Sequence, residues 1–282
     1  MSRAYPAKVL LFGEHTVLRG GRGLAVPYPA FSLRWERGEP DERLIKLAAQ
    51  LQPENWWRSL DVPRLKREVA AGWRLPGNIP LGYGLGSSGA VCAAVYDRFR
   101  RPDHYPSTEQ LRVVLSDLEA HFHGESSGTD PLVSYLNQPV LLGDGSPREV
   151  VLPERWAANF FLYDTGRERQ ATPFIRAFLE RYDGGEGSTI DGDWTAPANA
   201  AIDALIANDR TTLARRFREV SDYQLASFPG FIPTDLHDRW QTDAYALKLC
   251  GAGGGGMMLG WATDKAATEA ALNGVAWLAE PD

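Results

Sequence analysis

The stretch Pro80-Leu-Gly-Tyr-Gly-Leu-Gly-Ser-Ser-Gly89 decides the fold, because it leads a glycine-rich loop directly into a helix. Residues 90–96, Ala-Val-Cys-Ala-Ala-Val-Tyr, have the composition of a buried helix. A glycine loop that opens a helix presents backbone N–H groups to a phosphate, and the helix dipole favours its negative charge. Ser87 and Ser88 add hydroxyl groups suited to oxygen atoms or Mg²⁺. The stretch therefore predicts a loop that binds the phosphates of a nucleoside triphosphate.

Two other interpretations of this loop stay open. The residues from Gly84 to Gly89 also satisfy the dinucleotide pattern G-x-G-x-x-G, with an acidic residue, Glu109, about twenty positions later. That fold requires a strand before the loop, where this chain has Pro76 and Pro80. The Walker pattern is absent, because no lysine precedes the serines. A structural turn before a buried helix is the remaining alternative.

The composition is that of an ordinary globular protein. The chain has 282 residues, 44% of them hydrophobic and 23% charged, with a formal net charge of −6. This length predicts one large or two medium domains, and the acidic balance disfavours nucleic acid as a partner. Cys92 and Cys250 are far apart and form no C-x-x-C pair, which disfavours disulfide scaffolds and zinc ribbons. No apolar run is long enough for a signal peptide or membrane span, so we expect a cytoplasmic protein.

Hydrophobic periodicity predicts a mixture of strands and helices. Asp130 and Pro131 predict the N-cap and first residue of one helix. We place a domain boundary near residue 152, which divides the chain into 1–152 and 153–282. The predicted strands are 8–12, 24–26, 31–35, 140–142, 150–152, 159–163, 246–250 and 257–261, and the predicted helices are 41–51, 63–71, 90–96, 108–122, 173–182, 198–206, 210–221 and 265–273.

A cluster of titratable residues follows the helix predicted at 108–122. It comprises Glu119, His121, His123, Glu125 and Asp130. The H-x-H spacing with nearby carboxylates can hold a metal such as zinc, but this spacing is common by chance. Two carboxylates suit phosphoryl transfer better, because one can hold Mg²⁺ while the other lies beside the hydroxyl that accepts the phosphoryl group.

Two further features each allow two interpretations. Lys8 stands at the head of a buried strand, where its ammonium either reaches solvent or faces a carboxylate. The tract from Gly251 to Gly256 is either a flexible linker or a backbone wall against a ligand. Predicted strands on both sides of the tract favour the wall.

Taken together, three segments resemble the ordered motifs of the GHMP kinases, a superfamily that includes galactokinase, homoserine kinase, mevalonate kinase and phosphomevalonate kinase. The segments are Lys8-Val-Leu-Leu-Phe-Gly-Glu-His15, the loop from Pro80 to Ser88, and Lys248-Leu-Cys-Gly-Ala-Gly-Gly-Gly-Gly256. The first is most similar to the form found in mevalonate kinases. In those enzymes a Mg²⁺-binding Glu precedes a catalytic Asp by eleven residues, as Glu119 precedes Asp130.

The resemblance implies an α+β fold with two domains. The N-terminal domain would resemble ribosomal protein S5 domain 2, the C-terminal domain would be ferredoxin-like, and the active site would lie in the cleft between them. It also implies transfer of the ATP γ-phosphoryl group to a primary hydroxyl, with mevalonate as the first-choice acceptor and a homodimer as a candidate assembly. Alternatives are another acceptor, such as phosphomevalonate, homoserine or a sugar, and a catalytically silent ligand sensor.

The same resemblance assigns roles to individual residues. Cys250 and Gly89 depart from the family pattern, which usually has Thr and Ala at these positions. The implied catalytic residues are Asp130 and Lys8; the implied Mg²⁺ ligands are Ser88 and Glu119; the implied ATP-binding residues are Gly82, Gly84, Leu85, Gly86, Ser87 and Ser88; and the implied substrate-binding residues are Glu14, His15, Thr172, Gly251, Ala252 and Gly253.

Overall fold

A computed structural model describes residues 3–169 and 171–278, apart from the side chain of His123. Strands and helices occur in runs along the chain, which confirms the predicted α+β class. None of the helices in these residues is both long and apolar enough to cross a membrane. The helices are α1 Glu42–Gln50, α2 Pro53–Trp56, α3 Val62–Ala70, α4 Ser87–Phe99, α5 Thr108–His123, α6 Thr129–Leu136, α7 Ala171–Arg181, α8 Gly187–Ile190, α9 Ala196–Ile206, α10 Arg210–Ser227 and α11 Lys265–Ala271.

The strands agree with most of the predicted ones. They are β1 Ala4–Phe12, β2 Gly23–Arg34, β3 Glu36–Arg37, β4 Trp73–Arg74, β5 Val140–Leu142, β6 Arg148–Glu149, β7 Phe160–Asp164, β8 Tyr245–Leu249, β9 Met257–Ala262 and β10 Val275–Trp277. One four-stranded sheet has the order β1-β2-β5-β6, and another has the order β10-β7-β9-β8.

Three local predictions were wrong. The strands predicted at 24–26 and 31–35 are one continuous strand, β2, because its prolines have a φ that fits extended backbone. The strand predicted at 150–152 is displaced to Arg148–Glu149, and Val151 is exposed. The helix expected to start with Asp130 as its N-cap has Gly128 at that position instead.

The chain forms two compact units that are discontinuous in sequence. Unit 1 comprises Met1–Lys8, Pro27–Pro80 and Gly86–Gln138, and unit 2 comprises Val9–Val26, Leu81–Leu85 and Pro139–Asp282. The predicted division of the chain into 1–152 and 153–282 stays a prediction.

Helix α4 forms the centre of unit 1. All its residues from Gly89 to Tyr96 are buried, and the small side chains among them allow α6 to pack closely against it. A Cβ atom built on Gly89 would lie 2.7 Å from the backbone nitrogen of Pro131 and 2.8 Å from the carbonyl carbon of Asp130. Glycine at position 89 therefore sets the separation of α4 from the first turn of α6.

Unit 2 is built on the sheet of order β10-β7-β9-β8. Each neighbouring pair is antiparallel, and Phe161 of β7 lies opposite Gly260 of β9. The long helix α10 packs on β8 and α9. An aromatic cluster joins this layer to β1, because the ring of Phe217 lies 6.1 Å from that of Phe12 and 6.2 Å from that of Phe160.

We expect Gly89→Ala to lower the free energy of unfolding by about 1–3 kcal/mol, because the added methyl must displace the backbone of α6. The measurement is the urea midpoint with its slope. Gly192→Ala is the matched control, since a Cβ there would have no heavy atom within 4 Å. Equal midpoints for the two variants would contradict the close packing of α4 and α6.

Candidate functional site

Helix α4 of unit 1 begins with backbone N–H groups that can donate hydrogen bonds to a ligand. Gly86 is its N-cap, with a left-handed φ of 72°, and Ser87 is the first helical residue. The first N–H groups of a helix lack intrahelical acceptors, and together with the helix dipole they favour an anion. In the structure this loop does open a helix, as the sequence predicted.

The side chains of Lys8 and Asp130 meet directly beside this helix start. The Lys8 Nζ atom lies 3.0 Å from Asp130 Oδ1, with the Lys8 side chain 7% exposed and that of Asp130 32% exposed. Lys8 therefore faces a carboxylate and does not extend into solvent. A Cβ atom built on Gly86 would lie 3.1 Å from Lys8 Cγ and 3.2 Å from Asp130 Oδ2, so the loop backbone packs against the ion pair.

Loop serines hold Asp130 in the first turn of α6. Ser126 Oγ accepts a hydrogen bond from the backbone N–H of Gly128 at 2.9 Å, and Ser127 Oγ accepts from that of Thr129 at 3.3 Å. Gly128 has a left-handed φ of 72°. This conformation moves the helix start forward and leaves the carboxylate of Asp130 available to Lys8, which is why the predicted capping role was wrong.

Glu119 is the second carboxylate of this site in unit 1, after Asp130. The hydroxyl of Ser88 donates to Glu119 Oε1 at 2.8 Å, and that of Ser126 donates to Oε2 at 2.5 Å. Burial raises the pKa of Glu119, and the charge of Asp130 raises it further, while Ser126, Ser88 and Lys8 act in the opposite direction. A hydroxyl and a carboxylate are hard oxygen donors, so Ser88 and Glu119 fit Mg²⁺. A divalent cation would also offset the cost of burying this charge.

The sequence also allowed a zinc site at the H-x-H pair of this region. Within the described residues, no group of three or more His, Cys, Asp and Glu side chains is placed to hold a metal ion. His121 lies near Gln50, with 3.1 Å between its Nδ1 and the Gln50 Oε1. The side chain of His123, the other histidine of the H-x-H pair, lies outside the described residues.

A second charged cluster lies in unit 2. Glu14 Oε2 is 2.9 Å from Lys248 Nζ, and both side chains are completely buried. Gln224 donates through Nε2 to Glu14 Oε1 at 2.7 Å, and its Oε1 accepts the N–H of Leu249 at 2.8 Å. Lys248 also donates to the carbonyl of Leu249 at 2.6 Å. Burial raises the pKa of Glu14, and Lys248 is the largest opposing influence.

His15, the neighbour of Glu14, has an unusual backbone and a buried ring. Its φ is 61°, and its ring stacks on Phe178 at 5.0 Å between centroids. Burial lowers the pKa of His15 to about 4, with a hydrogen bond to Ala252 opposing and the charge of Arg169 contributing. The neutral ring must carry its proton on Nε2, which donates to the carbonyl of Ala252 at 3.0 Å. Nδ1 is buried without a hydrogen-bond partner.

The glycine tract of unit 2 is packed and is not a free linker. The N–H of Gly254 donates to the carbonyl of Phe231 at 2.7 Å, and that of Gly256 donates to the carbonyl of Arg167 at 2.7 Å. A Cβ on Gly253 would lie 2.7 Å from the carbonyl oxygen of Phe231. These contacts exclude a free linker, and the wall against a ligand stays a prediction.

Three further positions of unit 2 that the sequence singled out are Gly82, Thr172 and Cys250. A Cβ on Gly82 would lie 3.2 Å from the Cγ of Glu168. Thr172 lies in the first turn of α7 and is exposed. Cys250 is buried, and its thiol donates to the carbonyl of Leu10 at 3.7 Å.

Comparisons with known proteins agree with this architecture. Residues 57–138 match the family described as the GHMP kinases N terminal domain. A mevalonate kinase of Archaeoglobus fulgidus is 28% identical over 142 residues, which are 48% of this chain and 50% of that protein. The match therefore spans about half the length of that curated relative.

Solved structures extend the likeness to nearly the whole chain. The structure of L. major mevalonate kinase in complex with R-mevalonate has a TM-score of 0.65 and 19% identity, covering 96% of this chain and 89% of that one. The Streptococcus pneumoniae phosphomevalonate kinase has a TM-score of 0.64 and 14% identity, covering 95% of this chain and 93% of that one. The chain has the GHMP kinase fold. Identities this low establish the fold alone.

Within this GHMP kinase fold, several residues of the two clusters were missed by sequence reasoning. Gln224 carried a signal, because it lies on the buried stripe of α10 with Leu213, Phe217 and Val220, where a polar residue needs a partner. No sequence pattern indicated Ser126 or Arg169, because their positions depend on the conformation of loops. The predicted cytoplasmic location and homodimer stay predictions.

We expect Lys248→Met to lower the free energy of unfolding by about 3–5 kcal/mol, because it leaves the buried Glu14 carboxylate without its counter-charge. The double variant Glu14→Gln with Lys248→Met should recover much of that loss, which urea unfolding measures. Lys46→Met is the control, since its ion pair with Glu42 is exposed and spans 3.8 Å. Additive losses in the double variant would contradict the pairing.

We expect Glu119→Gln to raise the melting temperature in the absence of Mg²⁺ and ATP. The folded chain holds the Glu119 proton to a higher pH than the unfolded chain, so its ionisation opposes folding as pH rises. The gain should therefore be largest near neutral pH and vanish below about pH 4, where the carboxyl is protonated in both states. Calorimetry across pH measures this, with the exposed Glu125→Gln as control. A gain that does not depend on pH would contradict the assignment.

Proposed function

We propose that this protein is an ATP-dependent kinase that transfers the γ-phosphoryl group to the primary hydroxyl of mevalonate. The observation that carries the proposal is the contact of the Lys8–Asp130 ion pair with the backbone of Gly86, at the start of α4. A base, a cation and a helix start adjoin one another there. Phosphoryl transfer to an alcohol needs a base for the hydroxyl proton, a positive charge beside the transferring group, and donors that bind the phosphates.

Asp130 is the proposed base. Its carboxylate is partly exposed, so an alcohol can approach it, while Lys8 holds one of its oxygens. As the hydroxyl oxygen attacks phosphorus, its proton passes to the free carboxylate oxygen of Asp130, and the bond to the leaving ADP oxygen breaks. Lys8 then stabilises negative charge on the transferring group, because its ammonium is largely withdrawn from water.

The phosphates of ATP are assigned to the helix start. Backbone N–H groups from Gly84 to Ser88 would cradle them, aided by the dipole of α4. Ser88 and Glu119 would hold Mg²⁺, which neutralises phosphate charge when bound. Holding the ion would require an ionised Glu119, and the hydroxyl oxygen of Ser88 would supply a second hard donor.

Mevalonate is the proposed acceptor because the Glu14-His15 pair resembles the mevalonate kinase form of the motif and the relatives of this chain include mevalonate kinases. The buried thiol of Cys250, which stands where the family motif usually has Thr, donates to the carbonyl of Leu10. This cysteine therefore has a hydrogen-bond partner within unit 2. A phosphomevalonate kinase is an equally similar fold, so phosphomevalonate belongs in the test.

We expect ADP release with Mg²⁺ and ATP on mevalonate, and little on phosphomevalonate, homoserine or galactose. Asp130→Asn should lower kcat on the order of 10²–10⁴-fold, because the amide cannot take the proton. Asp117→Asn, an exposed carboxylate of α5, is the control and should leave kcat unchanged. ATP binding without turnover on any acceptor would indicate a ligand sensor, and a kcat for Asp130→Asn near that of the wild type would exclude the proposed base.

A further inference from the structure

The carboxylate of Glu119 receives a hydrogen bond from a hydroxyl on each of its two oxygens. Ser88 donates to Oε1 at 2.8 Å, and Ser126 donates to Oε2 at 2.5 Å. Glu119 is buried, and hydrogen bonds are stronger where water is excluded. The proposed mechanism gives Ser88 a role and gives none to Ser126.

The hydroxyl of Ser126 has a second partner. Its proton is donated to Glu119, and its oxygen accepts the N–H of Gly128 at 2.9 Å. Gly128 is the N-cap of α6, and Asp130 follows in the first turn of that helix. One hydroxyl therefore connects the carboxylate that is proposed to hold the cation with the start of the helix that carries the proposed base.

The loop that contains Ser126 is fixed on one face of α5. Ser116 Oγ donates to the carbonyl of Ser126 at 2.6 Å, and Arg112 Nη1 donates to the carbonyl of Ser127 at 2.6 Å. Successive spacings of four and three residues separate Arg112, Ser116 and Glu119, which places their side chains on the same face of the helix. These contacts restrict where the Ser126 hydroxyl can lie relative to Glu119.

We propose that Ser126 is a positioning residue that orients the Glu119 carboxylate for a divalent cation. This inference rests on the proposed function, in which Glu119 and Ser88 hold Mg²⁺. Hydrogen bonds from surrounding residues orient the ligands of a metal ion, and their loss lowers the affinity for the metal. Ser126 suits this role because it contacts the carboxylate oxygen opposite the one that Ser88 contacts.

The test measures the Kd for Mn²⁺ in the presence of ADP from the electron paramagnetic resonance signal of the free ion, which requires no turnover. We expect Ser126→Ala to raise this Kd about 10- to 100-fold, because the Glu119 carboxylate loses the partner that orients it. Ser126→Thr keeps a hydroxyl and should restore most of the affinity.

Ser107→Ala is the matched control, because it removes a serine hydroxyl at the start of another helix of unit 1. Ser107 is the exposed N-cap of α5 and accepts the N–H of Gln110 at 3.3 Å. Its loss should lower the urea midpoint and leave the Kd for Mn²⁺ unchanged. A raised Kd in Ser126→Ala then reports more than a loss of stability.

The double variant of Ser126→Ala with Glu119→Gln tests whether Ser126 acts through Glu119. We expect it to bind Mn²⁺ as weakly as Glu119→Gln alone, because the amide lacks the charge that the hydroxyl orients. Effects of two residues that act through one contact are not additive.

Two results would overturn the inference. A Kd for Ser126→Ala equal to that of the wild-type chain would leave Ser126 as a support of the loop, and additive losses in the double variant would show that it does not act through Glu119. Failure of the proposed function is visible separately. A wild-type chain that binds Mn²⁺ with ADP but does not phosphorylate mevalonate would contradict the proposed acceptor alone, whereas a wild-type chain that binds no Mn²⁺ would overturn both.

Discussion

The separation between the backbone of α4 and the carboxylate of Asp130 is the constraint on which the proposed catalytic cluster depends. Gly86 and Gly89 set it together, since a side chain at either position would meet Asp130 or its neighbours. Close packing leaves no room for one extra methyl without movement of backbone. Both glycines allow the close approach at which Asp130 lies beside Lys8. Gly89 therefore helps to set the position of Asp130 in this chain.

The two lysine–carboxylate pairs differ in what remains available to a ligand. The Glu14–Lys248 pair of unit 2 is completely buried, and its hydrogen bonds with Gln224 and Leu249 use the polar atoms that surround it. Such a pair contributes specificity of packing more than net stability. In the Lys8–Asp130 pair, the carboxylate is partly exposed and one oxygen is free of the ammonium contact. Only the second arrangement leaves a group able to accept a proton.

The fold of unit 1 disfavours the negative charge of the Glu119 carboxylate. Burial raises the pKa of Glu119, and the nearby Asp130 adds to that effect, while two serine hydroxyls only partly compensate. Perturbed carboxyls of this kind are typical of functional sites, where a ligand supplies the missing compensation. His15 of unit 2 is the opposite case, because burial lowers its pKa and leaves its ring neutral.

The sequence by itself determined the local features: the helix that follows the glycine loop, the periodic helices and strands, and, through its motifs, the candidacy of Lys8, Glu119 and Asp130. These follow from short-range patterns, because backbone freedom at glycine and hydrophobic periodicity act over a few residues. Only the tertiary structure decided where Arg169 lies, which partner Gln224 has, and that Lys8 faces a carboxylate. Each of these depends on contacts between segments far apart in the chain, and such contacts leave no local pattern from which they could be read.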